Sequence, residues 1–440
     1  MTGGSALAKL ETRKFALLFG ALYFIQGIAE PTEGLIAQPV RSLLRTWGFD
    51  AAGIAKFIAV MAIPWYLKPL WGIVTDYIPI RGSRRKSWLM IWTFSWAIGL
   101  TWLWWFPPAE GQSQLLLMLL LIPTVGVCFV DVIVDALMVE EGQPRGITGT
   151  LQSVQWACLY GAAILTGWLG GYLSARGMQT TGFAICALAA GCSFLLAVFV
   201  VKEPPTPKPT EEDAEVAATL LLGILSPVKT AARTMWGAAK HPAVIGVGCF
   251  LFLIAFNPFG SSVRYVHMTD GLGLGEEDYG KMVSIQSIGA VAGAAAYGWI
   301  CRRVPFKALI HLGIGAAVVS TLCWWGLTDA RSALVIGVVY GFAMMIATLM
   351  QLDLAARYCP VAIAATVFAL LMSLSNGSVS LSEIVGGTLY TDWIETLGRV
   401  PAFDRLVAVG AGFTCLCWAL VPWLNRLEAA NVAATEGADG

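Results

Sequence analysis

Acidic residues stand inside long apolar stretches of this sequence, at spacings that place them together on helix faces. Gln26, Glu30 and Glu33 follow one another at i, i+4 and i+7, which on a helix forms one polar stripe. Asp131 and Asp135 are four residues apart and share a face in the same way. A carboxylate at membrane depth costs at least about 2.5 kcal/mol unless it is paired or protonated. We therefore expect these side chains to bind a polar partner or a proton.

A second polar stripe repeats the spacing further along the chain. Asn257, Ser261 and Arg264 lie at i, i+4 and i+7 beside Pro258, and the first stripe also has a proline within it. A proline removes a backbone hydrogen bond and frees carbonyl groups to face a cavity. Together the two stripes suit a small molecule with a donor-rich end and an anionic end. The alternative is that Glu33 and Arg264 form an ion pair at the periplasmic side.

Other polar and aromatic side chains at membrane depth extend these candidate surfaces. Amides in lipid often only hold helices together, so binding and packing roles are both open for each of them. Aromatic rings at Tyr23, Trp65, Trp156 and Tyr160 could stack on a flat heterocycle or simply pack. The candidate substrate-binding residues beyond the two stripes are Gln152, Gln155, Trp156, Gln286 and Asn376. The candidate proton-binding residues are Glu30, Asp131 and Asp353.

The composition places these residues in a membrane protein. Of the 440 residues, 57% are hydrophobic and 13% are charged, against roughly 25% charged in soluble domains. The formal net charge of zero gives no indication of a nucleic-acid partner. No nucleophile–base set, phosphate-binding loop or metal-ligand spacing is present, and the cysteines show no Cys-x-x-Cys pair. We therefore expect no enzymatic activity, no cofactor and no metal.

The apolar runs predict an all-α integral membrane protein. A hydrocarbon core of about 30 Å requires about 20 apolar residues per helix. Twelve runs meet this length, near residues 15–38, 53–75, 88–106, 115–140, 149–173, 181–201, 242–266, 279–299, 307–327, 332–356, 361–389 and 405–424. Lys and Arg concentrate in the loops of one side, which predicts that both termini are cytoplasmic. Compact loops and a short N-terminus favour a bacterial inner membrane.

A break in the pattern divides the chain into two halves. Residues 202–241 open with KEPPTPKPTEEDAE and predict a cytoplasmic linker with a possible amphipathic helix. The predicted domains are therefore 1–201, 202–241 and 242–440. Similar sequences after Pro144 and Pro360 open spans 5 and 11, which indicates an internal repeat. Two pseudo-symmetric bundles of six helices are the plan of the major facilitator fold.

Several sequence fragments in the first half also resemble one transporter family. They are YFIQGI at residues 23–28, PWYLKP at 64–69, IPIRGSRR at 78–85, DVIVDALMVE at 131–140, and GTLQS at 149–153 with Trp156. In this order they resemble the folate–biopterin transporter family of the major facilitator superfamily. The resemblance implies a secondary carrier that moves a folate-like, pterin-like or related amphipathic anion by alternating access, with protons as possible co-substrates. It covers residues 23–161, and the second half matches only in general pattern.

The loop between spans 2 and 3 carries the superfamily pattern of an Asp followed by an Arg pair. The resemblance implies that these residues hold the cytoplasmic ends of the two bundles together, while the alternative is that they only set topology. We expect Asp135 and Glu140 to pair with nearby arginines, and Lys68 to extend to the membrane surface or pair with Asp76. No partner for Asp131 is evident. The candidate gate residues are Lys68, Asp76, Arg84, Arg85, Asp135, Glu140 and Arg145.

Two alternatives to this function remain open from the sequence. One keeps a carrier but changes its cargo to a muropeptide or an acyl-coenzyme ester. The other is a non-transporting assembly factor for photosynthetic membrane complexes, which has less need of ionisable residues at membrane depth. In the main reading the partners are a small-molecule substrate, membrane lipid and protons, with no nucleic acid, and the protein is expected to be a monomer.

Overall fold

The computed structural model is built from α-helices interrupted by prolines. It describes residues 2–83, 85–142, 144–145, 147–203, 242–301, 303–358, 364–424 and 426. The predicted linker at residues 202–241, with its amphipathic helix, falls almost entirely outside the described residues. Contacts within the described part group the chain into two units, Met1–Gly48 with Met61–Gly223 and Gly275–Ser287, and Phe49–Val60 with Ile224–Leu274 and Ile288–Gly440. The predicted division into 1–201 and 242–440 stays a prediction.

The first unit contains the helices of the N-terminal third of the chain. Its complete helices are α1 (Thr2–Ala29), α2 (Ala37–Thr46), α4 (Ile63–Tyr66), α5 (Lys68–Tyr77), α6 (Lys86–Trp105), α7 (Ser113–Gly142), α8 (Thr148–Ala175) and α9 (Gln179–Phe199). α1 packs on α8 and α9, and α6 packs on α7 and α9. Trp96 of α6 is fully buried in this unit. The apolar composition of α7 and α9 explains their burial against neighbouring helices in a membrane protein.

The second unit contains α3 (Ala51–Met61, up to Val60) and the later helices. These are α10 (Pro242–Ala255), α11 (Ser261–Val266), the C-terminal part of α12 (Glu276–Ile300), α13 (Phe306–Leu322), α14 (Ala330–Tyr358), α15 (Ala364–Leu397) and α16 (Arg399–Cys415). Its core includes Phe250, Ile314, Met350 and Leu371 from four of these helices. The first turns of α12 belong to the first unit.

Six described helices or helical runs are long and apolar enough to cross a membrane. They are Ser113–Gly142, Gln179–Phe199, Glu276–Ile300, Phe306–Gly326, Ala330–Ala355 and Arg399–Leu424. Each exceeds the length needed for a hydrocarbon core of about 30 Å. The protein is therefore a multi-pass membrane protein, and the count of twelve spans stays a prediction.

The predicted first and seventh spans are not continuous helices. α1 ends at Ala29 and α2 begins at Ala37, with Pro31 between them. α10 ends at Ala255 and α11 begins at Ser261, again around a proline. Proline lacks a backbone N–H, and its ring clashes with the preceding helical turn. The expectation that each polar stripe lies along one helix face is therefore wrong, because each stripe crosses a break.

The second predicted span is divided into α3, α4 and α5. Pro64 and Pro69 lie in the first turns of α4 and α5, where a missing N–H costs no helical hydrogen bond. Lys68 is the first residue of α5 as a result. The break therefore sets the direction in which the Lys68 side chain leaves the backbone.

Small residues allow close helix crossings within each unit. The four-residue spacings of Gly167 with Gly171 and of Gly289 with Gly293 predict such crossings. In the first unit, a Cβ atom added at Gly280 would lie 2.5 Å from the carbonyl oxygen of Gly167 and 2.7 Å from the Cα of Gly171. In the second unit, Gly289 and Gly293 of α12 face the backbone of α14 with similarly little space. Backbones this close leave no room for a side chain.

Candidate functional site

A buried ion pair between Lys68 and Asp131 lies at the centre of the candidate site in the first unit. The Lys68 ammonium donates to Oδ2 of Asp131, and the Gln26 amide donates to Oδ1 at 2.6 Å. The Asp131 side chain is 7% exposed and that of Lys68 is 33% exposed. Both carboxylate oxygens of Asp131 are therefore engaged, while the lysine stays accessible. This corrects two expectations, that Asp131 lacks a partner and that Lys68 pairs with Asp76 or extends to the surface.

Asp135 continues the same network one helical turn further along α7. Its Oδ1 atom accepts a hydrogen bond from the Tyr23 hydroxyl and another from Nε2 of Gln155 at 3.2 Å. The expectation that Asp135 pairs with a loop arginine is therefore wrong. The three side chains come from α1, α7 and α8, which the apolar patterns of those helices bring together. The sequence predicted that the Tyr23 ring stacks on a heterocycle or packs, whereas in the structure the Tyr23 hydroxyl donates to Asp135.

Glu30 lies at the end of α1 and satisfies the backbone groups that the break frees. Its carboxylate accepts hydrogen bonds from the backbone N–H of Thr32 at 2.8 Å, the Thr32 hydroxyl and the backbone N–H of Glu33. Nε1 of Trp65 donates to the same carboxylate at 3.3 Å. Trp96 donates to the carbonyl oxygen of Ala29 at 3.2 Å. Glu30 thus caps the break, while the Glu33 side chain is exposed.

Trp65 lies against the ion pair, and further aromatic and amide side chains lie in the same unit. The Lys68 ammonium lies 4.5 Å from the ring centroid of Trp65, a distance typical of a cation–π contact. On α8, Gln155 is buried and bonded to Asp135, whereas Gln152 and Trp156 are exposed. The rings of Trp156 and Tyr160 stack at 6.0 Å. The half-buried Gln286 also belongs to the first unit, through α12.

The second unit places the remaining candidates at separate positions. Asn257 donates to Oγ1 of Thr321 at 2.6 Å and accepts from the backbone N–H of Phe259 at 3.0 Å, so it caps the break before α11. Asp353 accepts a hydrogen bond from the Tyr297 hydroxyl at 3.3 Å. The Asn376 side chain on α15 is exposed.

Arg264 lies in an aromatic enclosure in the second unit. Its guanidinium carbon is 4.5 Å from the ring centroid of Tyr340, 5.2 Å from Trp324 and 5.9 Å from Phe259. The residue is only 9% exposed. Arginine stacks on aromatic faces more readily than lysine does, which explains the choice of residue here.

Glu383 forms polar contacts that the sequence did not predict. From α15 it accepts hydrogen bonds from the backbone N–H and the hydroxyl of Ser261, and from the backbone N–H of Ser262 at 3.2 Å. A Cβ atom on Gly260 would meet this carboxylate, so the glycine is needed for the approach. A glutamate inside a predicted span was the available signal, but its partner could not be found from the sequence.

The predicted gate cluster is described in part. Arg85 donates to Glu140 through Nε at 3.1 Å and through Nη2 at 3.0 Å, and to the Thr75 hydroxyl at 3.2 Å. Arg145 pairs with Glu141 at 2.7 Å. The pairing expected for Glu140 is therefore confirmed.

Two further members of the gate cluster, Arg84 and the side chain of Asp76, lie outside the described residues. Beyond the end of α9, Glu203 accepts hydrogen bonds from the backbone N–H groups of Arg85 and Lys86. These contacts fix the start of α6.

Solved structures that resemble this chain are membrane transporters. The nucleoside transporter NupG gives a TM-score of 0.68 at 15% identity, covering 94% of this chain and 99% of that chain. A POT family transporter in complex with 5-aminolevulinic acid gives a TM-score of 0.67 at 13% identity, covering 93% and 96%. At these identities the likeness establishes the fold, which is that of the major facilitator transporters. The predicted all-α membrane fold of the major facilitator type is therefore confirmed, and the count of twelve helices stays a prediction.

The family follows from the sequence comparison. A model of the BT1 family matches residues 26–436, and the chain belongs to that family. The folate-biopterin transporter of Synechocystis sp. is 29% identical over 408 residues, which is 88% of this chain and 76% of that protein. Folate transporter 1 of Plasmodium falciparum is 20% identical over 352 residues, 77% of this chain and 66% of that protein. The resemblance seen in the sequence is confirmed, and the protein is a transporter of a small molecule and not an enzyme.

Proposed function

We propose that this protein is a secondary carrier for a folate-like or pterin-like amphipathic anion, working by alternating access and coupled to protons. The names of its relatives support the substrate class. In this proposal the carrier works as a monomer in a bacterial inner membrane with both termini in the cytoplasm. Two six-helix bundles alternate between their two arrangements, and the Arg85–Glu140 pair stabilises one of them.

The Lys68–Asp131 pair is the observation that carries the proposal. An ammonium buried against one carboxylate is expensive to desolvate, so its retention at membrane depth favours a functional role. One third of the Lys68 side chain is accessible, so an anionic substrate can replace Asp131 as its partner. The exchange keeps the lysine paired throughout, which lowers the cost of substrate entry and exit.

Aromatic side chains beside the lysine support a flat substrate. Trp65 lies against the Lys68 ammonium, and the stacked rings of Trp156 and Tyr160 lie on α8 of the same unit. Such rings bind planar heterocycles through their faces. The exposed amide of Gln152 and the half-buried amide of Gln286 supply hydrogen-bonding groups for the polar edge of a pterin.

Proton coupling follows from the same exchange of partners. When the substrate anion occupies Lys68, Asp131 loses its counter-ion inside the membrane. An unpaired buried carboxylate binds a proton more readily, because burial disfavours its charged form. Substrate binding and proton binding therefore favour each other, which is the thermodynamic basis of symport.

Uptake into proteoliposomes tests the proposal. Purified protein is reconstituted and supplied with folates, pterins, muropeptides and acyl-coenzyme esters in parallel, with and without an inward proton gradient. Uptake of a folate or pterin that the gradient stimulates is expected, and Lys68→Met should abolish it. Lys281→Met removes an exposed lysine and is the matched control.

Three results would contradict this function. Uptake of only muropeptides or coenzyme esters would replace the substrate class. Uptake that ignores the gradient would remove proton coupling. Absence of both uptake and ligand-induced thermal stabilisation would favour an assembly factor.

A further inference from the structure

Three ionisable side chains with unequal charges meet in the first unit. Lys68 carries one positive charge, while Asp131 and Asp135 together carry two negative charges if both are ionised. The two carboxylates lie one turn apart on α7, and Asp131 contacts the ammonium directly. A buried group of this kind is most stable when its net charge is zero, because an uncompensated charge in the interior is costly. One of the two aspartates should therefore hold a proton.

The hydrogen bonds of Asp131 identify it as the ionised aspartate. Its Oδ2 accepts from Lys68 and its Oδ1 accepts from Gln26. Each oxygen of Asp131 thus accepts a hydrogen bond, and a carboxylate that accepts on both oxygens is stabilised in its charged form. A proton on either oxygen would point at a donor and displace it.

The hydrogen bonds of Asp135 have a different pattern. Tyr23 and Gln155 both donate to the same atom, Oδ1. Among the described residues no donor reaches Oδ2. A protonated carboxyl group has this arrangement, with one oxygen that accepts and one that carries hydrogen.

We infer that Asp135 is a second proton-binding residue of this carrier, beside Asp131, and holds a proton on Oδ2 while Lys68 and Asp131 remain paired. The inference rests on the proposed function and deepens it. It gives Asp135 a proton-binding role in place of the gate role that the sequence predicted. The charged and titratable groups that face Asp135 are Tyr23 from α1, Lys68 from α5 and Asp131 from its own helix. Gln155 faces it from α8 as a neutral amide.

This assignment couples the proton to the substrate. If Asp135 loses its proton, a second negative charge appears near Lys68 and repels an anion that approaches the ammonium. Substrate binding should therefore weaken as the pH rises through the titration of Asp135. Protonation of Asp135 and binding of the anion therefore favour each other, as symport requires.

Infrared difference spectroscopy on the substrate-free protein locates the proton. A protonated carboxyl group has a C=O stretching band distinct from that of a carboxylate, and the band moves when a hydrogen bond to its oxygen is lost. Tyr23→Phe removes a donor to Oδ1 of Asp135, so the band should shift. Gln155→Leu should shift it in the same direction, and supplies the test if Tyr23→Phe does not fold. Gln26→Leu is the matched control, because it removes a donor to Asp131 only, and the band should stay in place.

The outcomes separate this inference from the proposed function, because the spectrum needs no substrate. A band that shifts with Gln26→Leu but not with Tyr23→Phe or Gln155→Leu would place the proton on Asp131 and overturn the inference. Absence of any carboxyl band assignable to this network would also overturn it.

A second measurement links the proton to transport. In the wild-type protein, the affinity for a folate should fall about tenfold across the titration of Asp135, the effect of one added negative charge beside the binding ammonium. In Asp135→Asn, the affinity should no longer depend on pH in that range. An unchanged pH dependence in this variant would refute the coupling role even if the carrier transports folate.

Discussion

Replacement of Lys68 by methionine should destabilise the protein, because Asp131 would keep a buried charge without its cation. Removal of one partner of a buried ion pair costs roughly 3–5 kcal/mol. The Asp131 side chain is 7% exposed, so water compensates little, while Lys68 is 33% exposed and is already partly solvated. The expected loss of unfolding free energy at pH 7 is therefore at the lower end, about 3 kcal/mol.

The penalty should depend on pH, because protonation of the unpaired carboxylate in the variant removes the uncompensated charge. The destabilisation by Lys68→Met should thus be smaller at pH 5 than at pH 7. The sign is fixed, since the variant gains stability relative to wild type as the pH falls.

Reversible unfolding in mixed micelles at the two pH values provides the assay. The series contains wild type, Lys68→Met, Asp131→Asn and the double variant. The double variant should recover most of the lost stability, because no unpaired charge remains. Lys281→Met is the control, since Lys281 and Glu277 form an exposed pair at 3.7 Å whose loss should leave the stability nearly unchanged. A penalty equal at both pH values, or a double variant no more stable than Lys68→Met, would refute the reasoning.

Two further predictions concern packing and capping. Gly280→Leu should destabilise the protein by at least about 2 kcal/mol in the same unfolding assay, because its side chain would enter the backbone crossing of α8 and α12; Gly191→Leu, where an added Cβ meets nothing within 4 Å, should be nearly neutral, and equal effects of the two variants would argue against the crossing. Glu383→Ala should cost about 2 kcal/mol, since the buried N–H groups of Ser261 and Ser262 would lose a charged acceptor, and a neutral result would mean that water replaces it.

The sequence predicted the helices well because their signal is local. Apolar runs of sufficient length specify spans wherever they lie in the chain, and the described helices that are long and apolar enough to cross a membrane match predicted runs. The close crossing at Gly167 and Gly171 was likewise predictable, since small residues four positions apart on one helix let a neighbouring backbone come close. The pair of Arg85 and Glu140 followed from the predicted topology, which brings the two helix ends to the same side.

The polar stripes were predicted less well, because the prediction of a stripe from the i, i+4 and i+7 spacing requires a continuous helix. Pro31 and Pro258 were visible in the sequence, but a proline can bend a helix or end it. Here each helix ends, and the freed backbone groups bind the nearest carboxylate. That carboxylate is Glu30 from the same segment in the first unit and Glu383 from a distant helix in the second. The distant partner depends on tertiary packing and has no local signal.

The pairing of Lys68 with Asp131 depends on the same kind of helix break, which the sequence did not predict. The sequence left two alternatives for Lys68, extension to the membrane surface or a pair with Asp76, and both place its charge at the end of the span. In the structure Lys68 starts a new helix after Trp65, and its side chain reaches Asp131 on α7. The prolines that interrupt the span thus turn a lysine predicted for the gate into the partner of an aspartate at membrane depth. In the first unit the helix breaks therefore have two effects: Lys68 starts a helix that pairs it with Asp131, and Glu30 caps the backbone groups freed after α1.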